Sequence, residues 1–211
     1  MKKILLTAAV FLFGAVVGCG LTFLAYIYEL DIPLLPSSYP NADETAQTHI
    51  LDDSVEVLSL LKERNFKELA KYIHPEKGVI FTPYSTVLPD SDQVFTADLI
   101  KGFQDDTNLY IWGTADGSGD PISMTPTQYF DRYVFDRNYV NAPVVGINTV
   151  MRQGNSLENV IEAFPGAEFV EFHYPGSDEN SQFDWSSLKI VFENYNGSRK
   201  IIALIHSEWT I

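Results

Sequence analysis

The chain has 211 residues, and its 28 Asp and Glu against 14 Lys and Arg give a formal net charge of −14 at pH 7. This balance argues against nucleic-acid binding, because phosphate contacts need clustered basic side chains. Cys19 is the only cysteine, so the part of the chain after it has neither a disulfide nor a thiolate nucleophile.

The first predicted element is an uncharged N-terminal helix. Lys2 and Lys3 precede 25 uncharged residues, from Ile4 to Tyr28. At roughly 1.5 Å per residue this run gives about 37 Å of helix, enough to cross a hydrocarbon core of about 30 Å. The positive-inside rule keeps the lysines in the cytoplasm. Residues 1–30 therefore predict a signal-anchor at the cell membrane, with everything that follows outside the cytoplasm.

A second interpretation of this segment is a lipoprotein signal. Val16-Val17-Gly18-Cys19 resembles a lipobox, in which the cysteine is lipidated after cleavage. A lipoprotein normally continues with a polar tether, whereas this chain stays apolar as far as Tyr28. We therefore favour the uncleaved anchor. Lipidation at Cys19 and release by cleavage stay open as alternatives.

A linker and two helices are predicted next. Residues 31–49 are rich in proline and small polar residues, which indicates a linker. The external domain then spans residues 50–211. Asp53 followed by Glu56 is a helix-start signature. A second helix, ending at Pro75, is predicted from four apolar residues at helical spacing: Phe66, Leu69, Ala70 and Ile73.

The middle of the chain mixes strand and helix signals. The stretch "GVIFTPY" predicts a short edge strand, and Thr96 predicts the cap of a brief helix. "LYIW" is typical of a strand, and the glycine-rich "GTADGSGDP" of a loop. Thr125-Pro126-Thr127-Gln128 has the capping-box pattern with proline at the first helical position, which predicts another helix start.

Strands are predicted to close the domain. They cover 144–151, 167–174, 187–195 and 199–209. Asn196-Gly197 favours a two-residue type I′ turn between the last two. An uninterrupted register from that turn sets Ser187 opposite His206, and gives Trp209 the parity of the core-facing residues.

Helices first and antiparallel strands afterwards, with one helix between, is an α+β order. It predicts helices packed on a curved antiparallel sheet that ends in a β-hairpin, in the manner of a nuclear-transport-factor-2-like cone.

Four stretches between His74 and Ile211 resemble a known family: "HPEKGVIFTPY", "WGTADGSGDPISMTPTQYFDRYVFDRNYVNAP", "AEFVEFHYPGS" and "DWSSLKIVFENYNGSRKIIALIHSEWTI". The family consists of uncharacterised exported or lipid-anchored proteins, mostly from Gram-positive bacteria. The resemblance implies an extracytoplasmic α+β domain, nuclear-transport-factor-2-like or cystatin-like. It implies no activity, ligand or catalytic residue.

Glu171, His173 and His206 are the candidate catalytic residues. Glu171 and His173 share one face of a predicted strand, and His206 lies in the final hairpin. The three converge if the strand of His173 neighbours that of Ser187, and a carboxylate that orients an imidazole is the minimum for acid–base catalysis. The alternative is a polar pair on a solvated sheet face, because sequence does not fix this register.

Asp116, Ser118 and Asp120 are weak calcium candidates, with oxygen-bearing side chains at alternate positions. A calcium loop also needs glycine at its sixth and glutamate at its twelfth position, where this chain has Pro121 and Thr127. A plain turn is the preferred interpretation, and no metal site is predicted. No cofactor motif is present, so no cofactor is predicted.

The anchor, the linker and the lack of a catalytic motif favour a membrane-tethered extracytoplasmic binding or interaction domain of a bacterial envelope, with an unknown ligand. The membrane is its predicted partner through the N-terminal segment. The alternative is a small-molecule acid–base enzyme with its pocket in the mouth of a cone fold.

Overall fold

The computed structural model describes residues 41–210, and residues 41–48 through their backbone alone. The predicted signal-anchor, Cys19 and residues 31–40 of the predicted linker lie outside this part of the chain. Within it, no helix is long and apolar enough to cross a membrane. One compact unit extends from Glu44 to the C-terminus.

Helix α1 covers Asn41–Lys62 and begins before the predicted start at Asp53. Apolar periodicity reveals a helix only where one face is buried. Among the side chains of α1 from residue 49 onwards, His49 is exposed and Ile50 is the first that is buried. The end of the predicted linker is therefore helical.

Helix α2 covers Phe66–Leu69 and is capped by Asn65. The Asn65 side chain accepts a hydrogen bond from the backbone N–H of Glu68 at 3.3 Å. The four apolar residues that predicted this helix are all buried, although Ala70 and Ile73 lie beyond its last turn.

Six strands form a mixed sheet, and two more form a separate ribbon. The sheet contains β1 (Val79–Thr82), β2 (Gln93–Phe95), β5 (Val144–Ile147), β6 (Glu168–Tyr174), β7 (Ser186–Tyr195) and β8 (Ser198–Glu208), and the ribbon β3 (Tyr110–Thr114) and β4 (Pro121–Met124). The order in the sheet is β2-β1-β8-β7-β6-β5.

The α+β class is confirmed, but the prediction of a wholly antiparallel sheet is wrong. Strand β1 runs parallel to β8, and the other neighbours in the sheet are antiparallel. The parallel pair joins the first strand within residues 41–210 to the last. Element order shows which strands follow each other along the chain and not which distant strands meet.

The short helical elements are α3 (Ala97–Lys101), α4 (Pro126–Tyr129), a π-helical turn (Phe130–Val134), a 3₁₀ turn (Tyr139–Asn141) and α5 (Val160–Ala163). Thr96 caps α3, and Thr125 with Gln128 forms the predicted capping box of α4. Both predicted helix starts are confirmed, because capping depends on local hydrogen bonds alone.

The predicted turn of the hairpin β7–β8 is confirmed, but the pairing of residues further from the turn differs from the predicted register by one residue. Asn196 and Gly197 have φ values of 52° and 82°, as a type I′ turn requires. The register is interrupted between Val191 and Phe192, where Ile202 is the extra residue of β8. Such a bulge reverses the face of every later side chain in its strand. His206 consequently lies opposite Leu188, one residue from its predicted partner.

Both faces of the sheet are covered. On the inner face, Leu188, Ile190 and Phe192 pack with the helices in the main core. The outer face carries a smaller apolar cluster that includes Val191 and Ala203. Residues 148–165, here called the covering segment, lie over this outer face through Val150, α5 and Phe164.

Candidate functional site

The structure brings together two of the three candidate catalytic residues. Glu171 and His173 lie on the outer face of β6, opposite Lys189 and Ser187 of β7. His206 lies on the inner face, because the bulge in β8 reverses its direction. All three side chains are buried. The predicted convergence of the three residues is therefore wrong.

A fully buried lysine lies at the centre of the outer face. Lys189 Nζ is 2.7 Å from Glu158 Oε2 and 3.6 Å from Glu171 Oε2. It also donates a hydrogen bond to Ser207 Oγ at 3.0 Å, and Ser207 Oγ is 2.9 Å from Ser85 Oγ. We call these five residues the lysine cluster. It places one cation between two carboxylates beneath the covering segment.

Glu171 is linked to both the covering segment and His173. Its Oε2 accepts a hydrogen bond from the backbone N–H of Met151 at 3.1 Å. The Ser187 hydroxyl lies 2.8 Å from His173 Nδ1, and it also lowers the pKa of the nearby Glu171 carboxyl. Burial raises the pKa of Glu171, although Lys189 opposes this effect.

The pKa of His173 is shifted in the direction opposite to that of Glu171. Burial lowers its pKa, and the positive charges of Arg152 and Lys189 lower it further. The imidazole is thus kept neutral and the nearby carboxyl is kept protonated over a wider pH range than in water. This is the pattern of a proton-transfer pair, but the pair is enclosed.

His206 belongs to a separate network on the inner face. Its Nδ1–H donates to the Pro83 carbonyl at 3.0 Å, and its Nε2 lies 3.2 Å from Ser186 Oγ. The carboxylate of Asp136 accepts from Ser186 at 2.9 Å and from Tyr139 at 2.7 Å. Burial alone would raise the pKa of Asp136, but His206, whose Nε2 lies 3.7 Å away, and the hydrogen bonds from Tyr139 and Ser186 lower it. The polar side chains here satisfy one another.

Asp116, Ser118 and Asp120 lie in the loop that joins β3 to β4. The loop is closed by backbone hydrogen bonds, from Ala115 N–H to the Asp120 carbonyl and from Gly119 N–H to the Ala115 carbonyl. Between residues 49 and 210, no group of three or more His, Cys, Asp or Glu side chains is arranged to hold a metal ion.

An open cleft lies at one end of the outer face, and we call it the α5 cleft. It has a volume of about 420 Å³ and is bounded by α5, the residues that follow it, β1 and the hairpin. Its apolar lining is formed by Ile80, Ala163, Phe164, Pro165, Ala167 and Ile202. The Lys77–Glu193 ion pair, at 2.5 Å, contributes the charges at this cleft. Glu171, His173 and His206 do not line it.

No protein-family model matches the chain, and no curated protein matches it. The family resemblance of the stretches between His74 and Ile211 stays a prediction. Function is therefore inferred from the geometry of the described residues and the N-terminal sequence.

Sequence reasoning missed Lys189 and Glu158. Lys189 stands in the apolar run "SSLKIVF", and a charged residue there is a signal for a buried partner. Glu158 gives no such signal, because it belongs to a polar loop before α5. Only the β6–β7 register and the path of the covering segment bring both carboxylates to the lysine.

Proposed function

We propose that the chain is a membrane-tethered extracytoplasmic binding domain of a bacterial envelope, and that a small amphipathic ligand binds in the α5 cleft. The tether and the location are supported by the sequence of residues 1–30, in which two lysines precede a run long enough to span a bilayer. The observation that carries the proposal is an open cleft that combines an apolar lining with one charged pair, Lys77 and Glu193.

The size and chemistry of the cleft support a small ligand. Ligand pockets commonly enclose about 300 to 1,000 Å³, are mostly apolar and contain a few placed polar groups. The α5 cleft, at about 420 Å³, falls in this range. Ile80 and Ile202 offer an apolar surface, and Lys77 and Glu193 offer one charge of each sign to a polar head group.

Photo-crosslinking in intact cells tests this proposal. A photoreactive residue in place of Ala163, at the cleft, should give a discrete adduct, and one at the exposed Asp105, which does not line the cleft, should not. Ala167→Phe narrows the cleft and should reduce the yield from position 163. Equal adducts from positions 163 and 105, or none from either, would contradict ligand binding in the cleft.

The acid–base enzyme is the second candidate, and the hydrogen bond between Ser187 and His173, with Glu171 on the same face of the sheet, favours it. In such an enzyme His173 activates the Ser187 hydroxyl and Glu171 exchanges protons. A fluorophosphonate should then label Ser187 in the native protein, and His173→Gln should abolish the labelling while His49→Gln leaves it. An unlabelled Ser187 would exclude a nucleophilic role.

We infer further that the fold is a nuclear-transport-factor-2-like cone. Support comes from α1, α2 and the π-helical turn, whose buried apolar side chains, as far as the structure describes them, belong to the core on the inner face. A crystal structure of residues 41–211, in which the curvature of the six-stranded sheet is compared with that of cone folds, tests this inference.

A further inference from the structure

Lys189 and Glu158 are held in contact in a site that is closed to solvent. The side chains of Lys189 and Glu171 are fully buried, and that of Glu158 is 9% exposed. Nζ approaches Glu158 Oε2 to 2.7 Å, yet this oxygen makes no hydrogen bond of ordinary geometry. Glu171 Oε1 is likewise buried without a hydrogen-bond partner among the described residues.

This arrangement is unfavourable as a simple ion pair. Removing charges from water costs more than their attraction returns unless hydrogen bonds satisfy the remaining polar atoms. Here two carboxyl groups face one ammonium, and Glu171 Oε1 has no hydrogen-bond partner among the described residues. Proteins keep such groups where the chemistry of the site needs them.

We propose that Lys189 and Glu158 form an intramolecular amide between Nζ and Cδ, with Glu171 as the residue that transfers protons. This would be a covalent cross-link between the covering segment and strand β7. It does not depend on the proposed ligand binding in the α5 cleft.

The reaction is a condensation that needs no oxidant or co-reactant. The Lys189 ammonium first passes a proton to the Glu158 carboxylate, which gives a neutral amine and a carboxylic acid. The Nζ lone pair then attacks Cδ, and a C–N bond forms. Glu171 donates its proton to the departing hydroxyl, so the C–O bond breaks and water leaves. Finally, Glu171 takes a proton from the nitrogen and is restored.

Burial promotes each part of this reaction. Charges are costly to keep away from water, so a reaction that replaces two of them with a neutral group is favoured in a buried site. Burial also raises the pKa of Glu171, whose Oε2 lies 3.6 Å from Nζ, and so favours its protonated form relative to water. Holding the reacting groups in contact replaces an encounter in solution, an effect worth up to about 10⁵ to 10⁸ M in effective concentration. The product is a neutral amide in place of two buried charges.

The cross-link would serve a domain that has no disulfide. Cys19, the only cysteine, lies outside residues 41–210. An amide between positions 158 and 189 would close a loop that contains α5 and β6, and would hold the covering segment over the outer face. Closing a loop restricts the unfolded chain, as a disulfide does.

Mass spectrometry of the purified full-length chain under denaturing conditions tests the proposal. The wild-type mass should be lower than the mass calculated from the sequence, with any lipid modification included, by one water. No Lys or Arg lies between Arg152 and Lys189, and an amidated lysine resists trypsin. The digest should therefore contain one peptide, 153–199, lighter by one water, in place of 153–189 and 190–199.

Variants locate the reaction and control for other losses of water. Lys189→Met, Glu158→Ala and Glu171→Gln should each keep their full calculated mass, whereas Glu162→Ala, at an exposed acid on α5, should still lose one water. A wild-type chain of full mass overturns the proposal, as does a loss of water that survives Lys189→Met. A loss confined to peptide 102–132, where Asp116 precedes Gly117, would also overturn it. Complete cross-linking in Glu171→Gln would exclude proton transfer by Glu171.

Discussion

At Glu171, burial and charge act in opposite directions on one carboxyl group. Burial raises its pKa, and Lys189 lowers it, with a net rise above the ordinary value of 4.5. A raised pKa in the folded state means that the folded protein binds the proton more tightly than the unfolded chain does. The stability contributed by Glu171 is therefore present below pH 4.5 and is lost as the pH rises through the folded pKa.

Glu171→Gln should remove the loss of stability that accompanies ionisation of Glu171. We expect the unfolding free energy of the variant to fall less than that of the wild type as the pH rises from 4.5 towards 8. Urea unfolding at several pH values measures both slopes. The lowered pKa of His173 makes the unfolding free energy rise with pH in both proteins. The observable is therefore the difference between the two slopes, in which this contribution cancels. The exposed Glu162→Gln is the control, and a variant slope equal to that of the wild type would contradict the assignment.

Trp209 shows that the parity of a strand does not fix burial at its end. It was predicted to pack in the core, but it is 39% exposed and contacts Phe183, which is 50% exposed. The prediction was wrong because the bulge at Ile202 reverses the parity on which it rested, and because β8 ends at Glu208, one residue before the ring.

Truncation of Trp209 should therefore have a small effect. We expect Trp209→Ala to lower the unfolding free energy by about 1 kcal/mol or less, as for a partly exposed side chain. Trp112→Ala removes a fully buried ring and should cost about 3 to 5 kcal/mol. Chemical denaturation of the two variants gives the comparison. Equal losses would place Trp209 in the core after all.

At the scale of elements, the bulge in β8 decides which side chains share a face. Ile202 is inserted between the residues opposite Phe192 and Val191. It separates His206 from Glu171 and His173, and it brings Ser207 to Lys189. A single added residue thus divides one predicted site into two buried networks.

Deletion of Ile202 should remove the bulge without changing the faces of β8. The deletion joins Ile201, opposite Phe192, directly to Ala203, opposite Val191, so Leu204 and His206 stay on the inner face and Ser207 on the outer face. We expect the variant to fold, with a loss of stability because a buried side chain of the outer cluster is missing. Ile202→Val keeps the bulge and should cost about 0.5 to 1.5 kcal/mol. Circular dichroism and urea unfolding compare the two variants, and a deletion variant without strand signal would show that the bulge is needed for folding.

At the scale of the whole molecule, folding and tethering are expected to reside in different parts of the chain. The compact unit from Glu44 onwards contains both cores described above, whereas the predicted anchor ends at residue 30. A chain lacking residues 1–40 should be soluble and should unfold in one cooperative thermal transition with mixed helix and strand signals. Aggregation of this chain, or loss of its near-ultraviolet signal, would show that the removed residues are needed for folding.

The full-length chain should fractionate with membranes and resist a carbonate wash. An apolar run of 25 residues is long enough to hold it there without lipid. Labelling with a palmitate analogue, in the wild type and in Cys19→Ala, separates the two anchors. Label that is present in the wild type and lost in the variant would establish a lipoprotein and contradict the transmembrane interpretation.

The sequence by itself determined the features that depend on neighbours along the chain. The capping residues Thr96 and Thr125, the Asn196-Gly197 turn and the α+β class were all predictable, because hydrogen bonding and backbone preference act over a few residues. Only the tertiary structure decided which strands pair, that β1 meets β8, and where a bulge interrupts the register. Those choices minimise the exposure of apolar surface across the whole sheet, so no local signal contains them. They bury Lys189 between two carboxylates and leave His206 on the opposite face.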